Sequence, residues 1–277
     1  MPLGEEFIFL AIPIGLFIGI ICSIVGLGGG VLIIPTSIFL LGFNPKSAIV
    51  ISLFSMTGLT ISASITYMKK HMVNYRLAVL YNIWDVPGVI LGGVITIVVA
   101  SNVLAGICGA TIILLAILLF RKDTSHFSEV KDSHNHNSDE NKIKTKSKLD
   151  INNPYIASFS SFSGGFITGL VGLGGGTADT TSMILLGLDP KKAAATSEFA
   201  MAFTSFFGVF IHFLIGTYKG SLIWPIFMSI GTIIGAQIGT YLSTRMDSTI
   251  VRKLLACLAA YTGFLLLLLM FGIGWNA

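Results

Sequence analysis

The sequence predicts an all-α polytopic membrane protein built from two inverted-topology repeats of five transmembrane elements, each with a half-length broken helix after a Gly-Leu-Gly-Gly-Gly turn. Three observations lead there. Of 277 residues, 53% are apolar and only 11% charged, against about 25% charged in an ordinary soluble domain. The charges are segregated: residues 121 to 152 hold 13 of the 30, leaving 17 for the other 245. Finally, Val25-Gly-Leu-Gly-Gly-Gly30 returns as Val171-Gly-Leu-Gly-Gly-Gly176, and Leu41-Gly-Phe-Asn-Pro-Lys-Ser-Ala48 returns in the same order as Leu186-Gly-Leu-Asp-Pro-Lys-Lys-Ala193. Two blocks repeated in order mark an internal duplication.

Uncharged runs over 7–45, 47–68, 86–120, 151–178, 199–218, 220–244 and 254–277 each reach or exceed the ~18 residues of a spanning candidate. Only Glu5 and Glu6 precede the first run, with no basic segment, so it is expected to stay as a helix and not to be cleaved as a signal. The first repeat occupies 1–120, with elements at about 7–24, 31–42, 46–67, 77–100 and 102–120. A linker over 121–153, rich in Lys, Ser, Asp and Asn, has too little apolar surface to build a core. The second repeat occupies 154–277, with elements at about 155–171, 177–187, 190–216, 221–243 and 249–272. The second element of each repeat spans only ~17 Å, about half the hydrocarbon thickness. Asn44-Pro45 and Asp189-Pro190 read as an N-cap followed by proline at the first helical position, so the third elements start there.

Five elements per half invert the second half relative to the first, and the basic residues agree. Lys69, Lys70, Arg76, the seven basic linker residues, Lys191, Lys192, Arg245, Arg252 and Lys253 fall on one side, and only Lys46 and Lys219 on the other. The basic side is assigned to the cytoplasm, which places the linker inside, both termini outside, and the chain in the cell membrane as a multi-pass protein.

Three consecutive glycines before a half-length helix leave backbone N–H groups exposed at its positive end, and inversion aims two such ends at each other. Gly28, Gly29, Gly30 and Val31 in the first half, with Gly174, Gly175, Gly176 and Thr177 in the second, are therefore expected to line a site for a small anion. The competing reading is close helix packing through small residues. That reading is preferred for Gly15, Gly19, Gly165, Gly169, Gly231, Gly235 and Gly239. Ser52 and Ser197, at matching positions past the two prolines, add hydroxyls suited to an oxyanion, although a membrane-helix serine often bonds its own backbone instead.

Carboxyls in apolar context are costly and therefore functional suspects. Glu198, Asp85 and Asp179 are the proton-coupling candidates, and Asp179 has a second reading as a cap of its half-helix. Their counterparts in the other half are Leu53, approximately Met228, and Ile33, so the acidity is one-sided. His212, near a helix end, is expected at the interface.

Other classes find less support. No basic patch interleaved with aromatics suggests nucleic acid. Cys22, Cys108 and Cys257 lie at no metal-like spacing, and Ser133-His-Asn-His-Asn137 reads as a solvated loop, so no metal is assigned. No ATP-binding motif or other cofactor signature is present, and no nucleophile motif joins Ser, His and Asp into an enzyme site.

At these residues the chain resembles the TauE/SafE family of membrane transporters, associated with export of sulfite and small organosulfonates. The resemblance is carried by Gly26-Leu-Gly-Gly-Gly30, Pro35, Gly42 and Asn44-Pro45-Lys46-x-Ala48. In the second half it is carried by Gly172-Leu-Gly-Gly-Gly176, Gly187 and Asp189-Pro190-Lys191-x-Ala193-x-x-Thr196-Ser197. It adds Thr196 to the residues expected to line the site. One departure is Thr181 where the first half has Pro35, which implies a differently shaped second half-helix. The resemblance implies a small anionic sulfur compound as substrate and the lipid bilayer as surroundings. It leaves direction open, so an importer or a passive anion channel remains the alternative to a secondary exporter. Oligomeric state is open too, a homodimer included.

Overall fold

The computed structural model describes residues 5–98, 106, 109–110, 113–114, 116–117, 154–172, 174–216 and 222–270. The linker over 121–153, Cys108, Lys219, most of the element expected over 102–120 and the two histidines of the linker lie outside the described residues. All described regular structure is helical, and six segments are long and apolar enough to cross a membrane: Ile8–Val25, Lys46–Lys69, Tyr75–Ile95, Pro190–Leu214, Ile223–Arg245 and Ser248–Leu268.

A 3-10 segment, Glu5–Leu10, leads into α1 (Ala11–Val25). Pro13 sits in the first turn of α1, where a missing N–H is tolerated. The helix ends where Gly26 takes φ 76° and returns its N–H to Cys22 O, a left-handed cap open to glycine without strain. After the turn, α2 (Gly30–Pro35) runs six residues and widens into a π turn, Thr36–Leu40. Pro35 has no N–H to return to Val31 O, and the Thr262 hydroxyl, bonded to Leu258 O at 2.8 Å, lies 3.5 Å from that carbonyl. Then come α3 (Pro45–Lys69) and α4 (Tyr75–Val98).

The second half repeats the order with α5 (Pro154–Val171), α6 (Gly176–Leu185), α7 (Pro190–Leu214), α8 (Ile223–Arg245) and α9 (Ser248–Met270). The half-helix α6, with Thr181 in place of a proline, is regular throughout its 10 residues. Both expected caps form: Asn44 accepts from Ser47 N at 2.9 Å, and Asp189 from Lys191 N at 3.0 Å.

The halves are interleaved. Helix α1 packs along α8 and α5 packs along α4, each through small residues that bring backbones together. A Cβ on Gly19 would lie 2.6 Å from Thr232 O, and one on Gly88 would lie 2.6 Å from Phe162 O. Gly15, Gly165, Gly169, Gly231, Gly235 and Gly239 are equally closed to a side chain, in keeping with the packing reading. This packing also corrects the register of α4 against α8. Gly165 rests on the backbone of Asp85 as Gly19 rests on that of Thr232, so the counterpart of Asp85 is Thr232, one turn beyond Met228.

Lys70 Nζ, just past α3, donates to Thr244 Oγ1 at 2.7 Å, and Lys191 Nζ, at the start of α7, donates to Thr244 O at 3.5 Å. The end of α3, the start of α7 and the end of α8 thus meet, and Arg245 stacks there on Tyr241 at 4.3 Å. The flank of α7 turns Phe203, Phe206, Phe210 and Phe213 outward, while Ser52, Ser55, Asp85, Asp179, Thr204 and Glu198 are fully buried. Apolar outside and polar inside is the arrangement of a bundle that faces lipid and keeps its chemistry at the centre.

Candidate binding site at the two glycine turns

The turns need glycine for conformational reasons before any ligand is considered. Gly26, Gly28 and Gly29 take φ of 76°, 71° and 99°, and Gly172 and Gly174 take 69° and 75°. Other L-residues lose roughly 1–2 kcal/mol at such angles. The two turns meet at the centre of the molecule: a Cβ on Gly176 would stand 2.7 Å from Gly26 O, and one on Gly174 would stand 3.5 Å from Leu27 O. Thr180 Oγ1 ties them by donating to Gly26 O at 2.9 Å.

Ser52 and Ser197 lie at this junction. Ser52 Oγ donates to Gly172 O at 2.8 Å, and Ser197 Oγ donates to Gly26 O at 3.5 Å. Each serine therefore holds the first glycine carbonyl of the other half's turn. Thr196 points elsewhere, accepting from Asn74 N at 3.0 Å and donating to Lys192 O at 2.6 Å, which fixes the entry to α4. Val31 is buried behind the first turn, and Thr177 Oγ1 is buried with no partner among the described residues.

Glu198 is fully buried, and its Oε1 accepts a long hydrogen bond, 3.4 Å, from Gly28 N; Oε2 has no partner among the described residues. A carboxyl from the second half thus stands where the first turn offers its backbone donor. Its counterpart Leu53 carries no charge and lies beside Gly208, on which a Cβ would stand 3.1 Å from the leucine side chain. Asp85 and Asp179 form a separate buried group: the hydroxyls of Ser161 and Thr204 lie 3.1 Å and 3.4 Å from the Asp85 carboxyl, with Asp179 beside it, and each hydroxyl has a nearer backbone carbonyl, Tyr81 O and Ala200 O, for its one proton. The hydrogen bond from Ser161 Oγ to Tyr81 O closes that group on the α4 side. The half-helix N-cap is Gly175, which has no side chain to bond.

His212 faces the inside of the bundle. It is fully buried and donates from Nε2 to Gly169 O at 3.1 Å, joining α7 to α5. No set of three or more His, Cys, Asp or Glu suited to a metal occurs among the described residues.

Two residues of the site were not singled out from the sequence. Met56 and Met201 stand at matching positions, eleven residues past Pro45 and Pro190, and both are fully buried. A Cβ on Gly28 would lie 2.7 Å from Met201 Sδ and 3.1 Å from Met56 Sδ. The same sulfurs lie 2.6 Å from Cβ positions on Gly176 and Gly174, respectively. The two thioethers therefore fill the space between the turns. Alignment of the two halves carries the signal, since methionine recurs at the repeat spacing.

The first turn thus presents Gly28 N to a buried carboxyl, Thr177 carries a buried hydroxyl with no partner among the described residues, and two thioethers stand between the turns. The chain matches the sulfite exporter TauE/SafE family over residues 11–266. It is 28% identical to the probable membrane transporter protein YunE of Bacillus subtilis, covering 93% of this chain and 98% of that protein. It is 26% identical to a probable membrane transporter protein of Haemophilus influenzae, with 94% of each chain covered. A probable membrane transporter protein of Methanocaldococcus jannaschii is 23% identical over 94% of this chain and 95% of its own. No solved structure matches the chain. A match of this extent, over a bundle that turns apolar side chains outward and buries its polar ones, makes the chain a multi-pass membrane transporter that belongs to the TauE/SafE family.

Proposed function

We propose that the protein is a secondary transporter that exports small sulfur-containing anions, such as sulfite or short organosulfonates, across the cell membrane, with the anion held by the two glycine turns. The single observation that carries this reading is Glu198 Oε1 on Gly28 N: the first turn already holds a carboxyl oxygen, supplied by the protein itself. An arriving oxyanion takes over the Gly28 N–H, and Glu198 is left buried with neither oxygen paired. A proton on the carboxyl removes that cost, so anion and proton bind together.

Co-binding has an energetic consequence. A dianion with one proton carries one net negative charge, which an inside-negative potential drives outward by about 2.3 kcal/mol per 100 mV. The proton opposes this by about 1.4 kcal/mol per pH unit, so outward movement wins whenever the pH gradient is small. A monoanion with a proton is neutral: it leaves the cell down its own concentration gradient, and an alkaline interior opposes that exit and can draw it inward.

Inverted repeats support alternation of this site between the two faces. That α3 ends where α7 begins, both on Thr244, supports the inversion. The cluster of Lys70, Lys191 and Arg245 at that end supports its assignment to the cytoplasm, with both termini outside. With native cysteines replaced, a Cys at Ser138 is expected to resist an impermeant thiol reagent in intact cells and one at Asn276 to react; the reverse result overturns the orientation. Function is tested in proteoliposomes with sulfite, thiosulfate, sulfate, taurine and sulfoacetate in turn. Accumulation above the equilibrium set by the substrate's own gradient identifies a coupled transporter, and flux that only dissipates a gradient identifies a channel.

A further inference from the structure

Asp179 on α6 and Asp85 on α4 are both fully buried and face one another. Asp85 lies beside two hydroxyls, Ser161 at 3.1 Å and Thr204 at 3.4 Å. Neither oxygen of Asp179 has a hydrogen-bond partner among the described residues. Yet the carboxyl of Asp179 is closely fitted: a Cβ on Gly164 would stand 2.5 Å from its Oδ1, and one on Gly175 would stand 2.8 Å from its Oδ2. Two glycines thus leave open a slot of carboxyl size that any side chain at either position would fill. The slot is specific to the second half, because Ile18, Ile33 and Thr232 stand where Gly164, Asp179 and Asp85 would be.

No cationic side chain pairs with either carboxyl among the described residues. On α4 the titratable neighbour is Tyr81, whose hydroxyl hydrogen-bonds Ser182 Oγ at 2.8 Å. On α6, Ser182 in turn donates to Asp179 O at 2.9 Å. Helix α5 faces the pair with Ser161 and Gly164, and α7 with Thr204; His212 of α7 is committed to Gly169 O.

Two adjacent carboxylates without a counter-ion repel each other where water cannot screen them. One proton placed between them removes the repulsion, gives Asp179 the partner it lacks, and forms a short charge-assisted O–H···O bond. A metal cation needs several further oxygens around it. Here the side-chain oxygens nearest Asp85 are only the Ser161 and Thr204 hydroxyls, each also bonded to a nearer backbone carbonyl, and the Gly164 and Gly175 backbones close the far side of Asp179.

We propose that Asp85 and Asp179 form a proton-binding carboxyl pair, a second cation site distinct from Glu198, which latches the half-helix α6 to α4. Protonated, the pair holds α6 against α4 and α5. Deprotonated, it repels and releases α6, so the second half-helix moves only as the proton leaves. As a coupling element the pair rests on the transport reading above; as a proton-holding site it stands without it.

The test uses no substrate, so the two readings fail separately. Purified full-length Glu198→Gln protein, which lacks the third buried carboxyl, is treated with dicyclohexylcarbodiimide, a reagent for protonated carboxyls in apolar surroundings, and modified residues are identified by mass spectrometry. The expected result is one modified carboxyl per chain, at Asp85 or Asp179. Labelling should fall progressively as the pH is raised and stay unchanged when sodium replaces choline. Asp179→Asn in the same background should cut labelling of Asp85 several-fold at neutral pH, because the neighbour that retains the proton is gone. Protection by sodium assigns the pair to a metal cation and overturns the proposal. Modification of both carboxyls in one chain, labelling that ignores pH, or no labelling at any pH overturns it as well. The pH profile of the parent decides the matter even if Asp179→Asn does not fold.

Discussion

The two half-helices occupy matching places and differ in almost every side chain. In α2, Val31, Leu32, Ile33, Ile34 and Pro35 follow the glycines; in α6, Thr177, Ala178, Asp179, Thr180 and Thr181 do. The first is apolar and breaks into a π turn after its proline, and the second is polar and regular. The backbone device is therefore shared while the chemistry is not. Glu198 deepens the asymmetry, because it belongs to the second half and yet serves the first half's turn. A duplicated chain can keep a symmetric cradle for the substrate and change one copy to carry the coupling ion, since glycine N–H groups bind an anion whatever the flanking side chains are.

The largest effects should come from breaking what the halves share. Leucine at Gly29, where φ is 99° and a Cβ would sit 3.0 Å from Ile33 and 3.2 Å from Leu59, is expected to abolish transport. Leucine at Gly175 should do the same, through Asp179 Oδ2 at 2.8 Å. Uptake assays on protein that elutes as a folded species would check both, and full transport by the pair would return the turns to a packing role.

The methionine plug should respond less and nearly symmetrically. Met56→Ala and Met201→Ala each remove a buried side chain and should lower stability by about 2–5 kcal/mol. Both should also raise leak of anion down its gradient, because each vacates space between the turns. A leak from only one of them would show that the plug is functionally as one-sided as the half-helices, which sharpens the comparison.

The serine braces should matter least. Ser52→Ala loses the 2.8 Å bond to Gly172 O and should cost about 1 kcal/mol. Ser197→Ala, whose bond to Gly26 O is 3.5 Å, should cost less. Thermal unfolding in detergent checks the order, and equal losses would mean that the two braces are equivalent despite their lengths.

How much of this was legible in the sequence depended on how local each feature is. The caps at Asn44-Pro45 and Asp189-Pro190 need only a few neighbouring residues, and both formed as read. The glycine turns announced themselves by recurring. The register of α4 against α8 did not, because no repeated motif marks those helices, and the counterpart of Asp85 moved from Met228 to Thr232 once glycine packing fixed it. The facing of Asp85 and Asp179 was hidden for a similar reason: it depends on α4, α5 and α6 meeting, and its clearest mark, the bare Gly164, looks from sequence like any other small residue in a membrane helix. Ser52 and Ser197 stood out in the sequence by their matching positions, but the groups they bond, carbonyls of the opposite turn, follow only from the way the halves interleave.

The claim that a carboxyl of the second half yields the first turn to substrate, and takes a proton as it does, is tested most directly by transport of a short organosulfonate into proteoliposomes. The lumen is made alkaline relative to the outside and the membrane potential is clamped to zero, so that only proton coupling can concentrate a substrate whose own charge does not change with pH. Wild-type protein should accumulate the organosulfonate inside; Glu198→Gln should bind it with little change and bring it only to equality. Accumulation by Glu198→Gln as large as that of the wild type would contradict the account and return Glu198 to a structural hydrogen bond on Gly28.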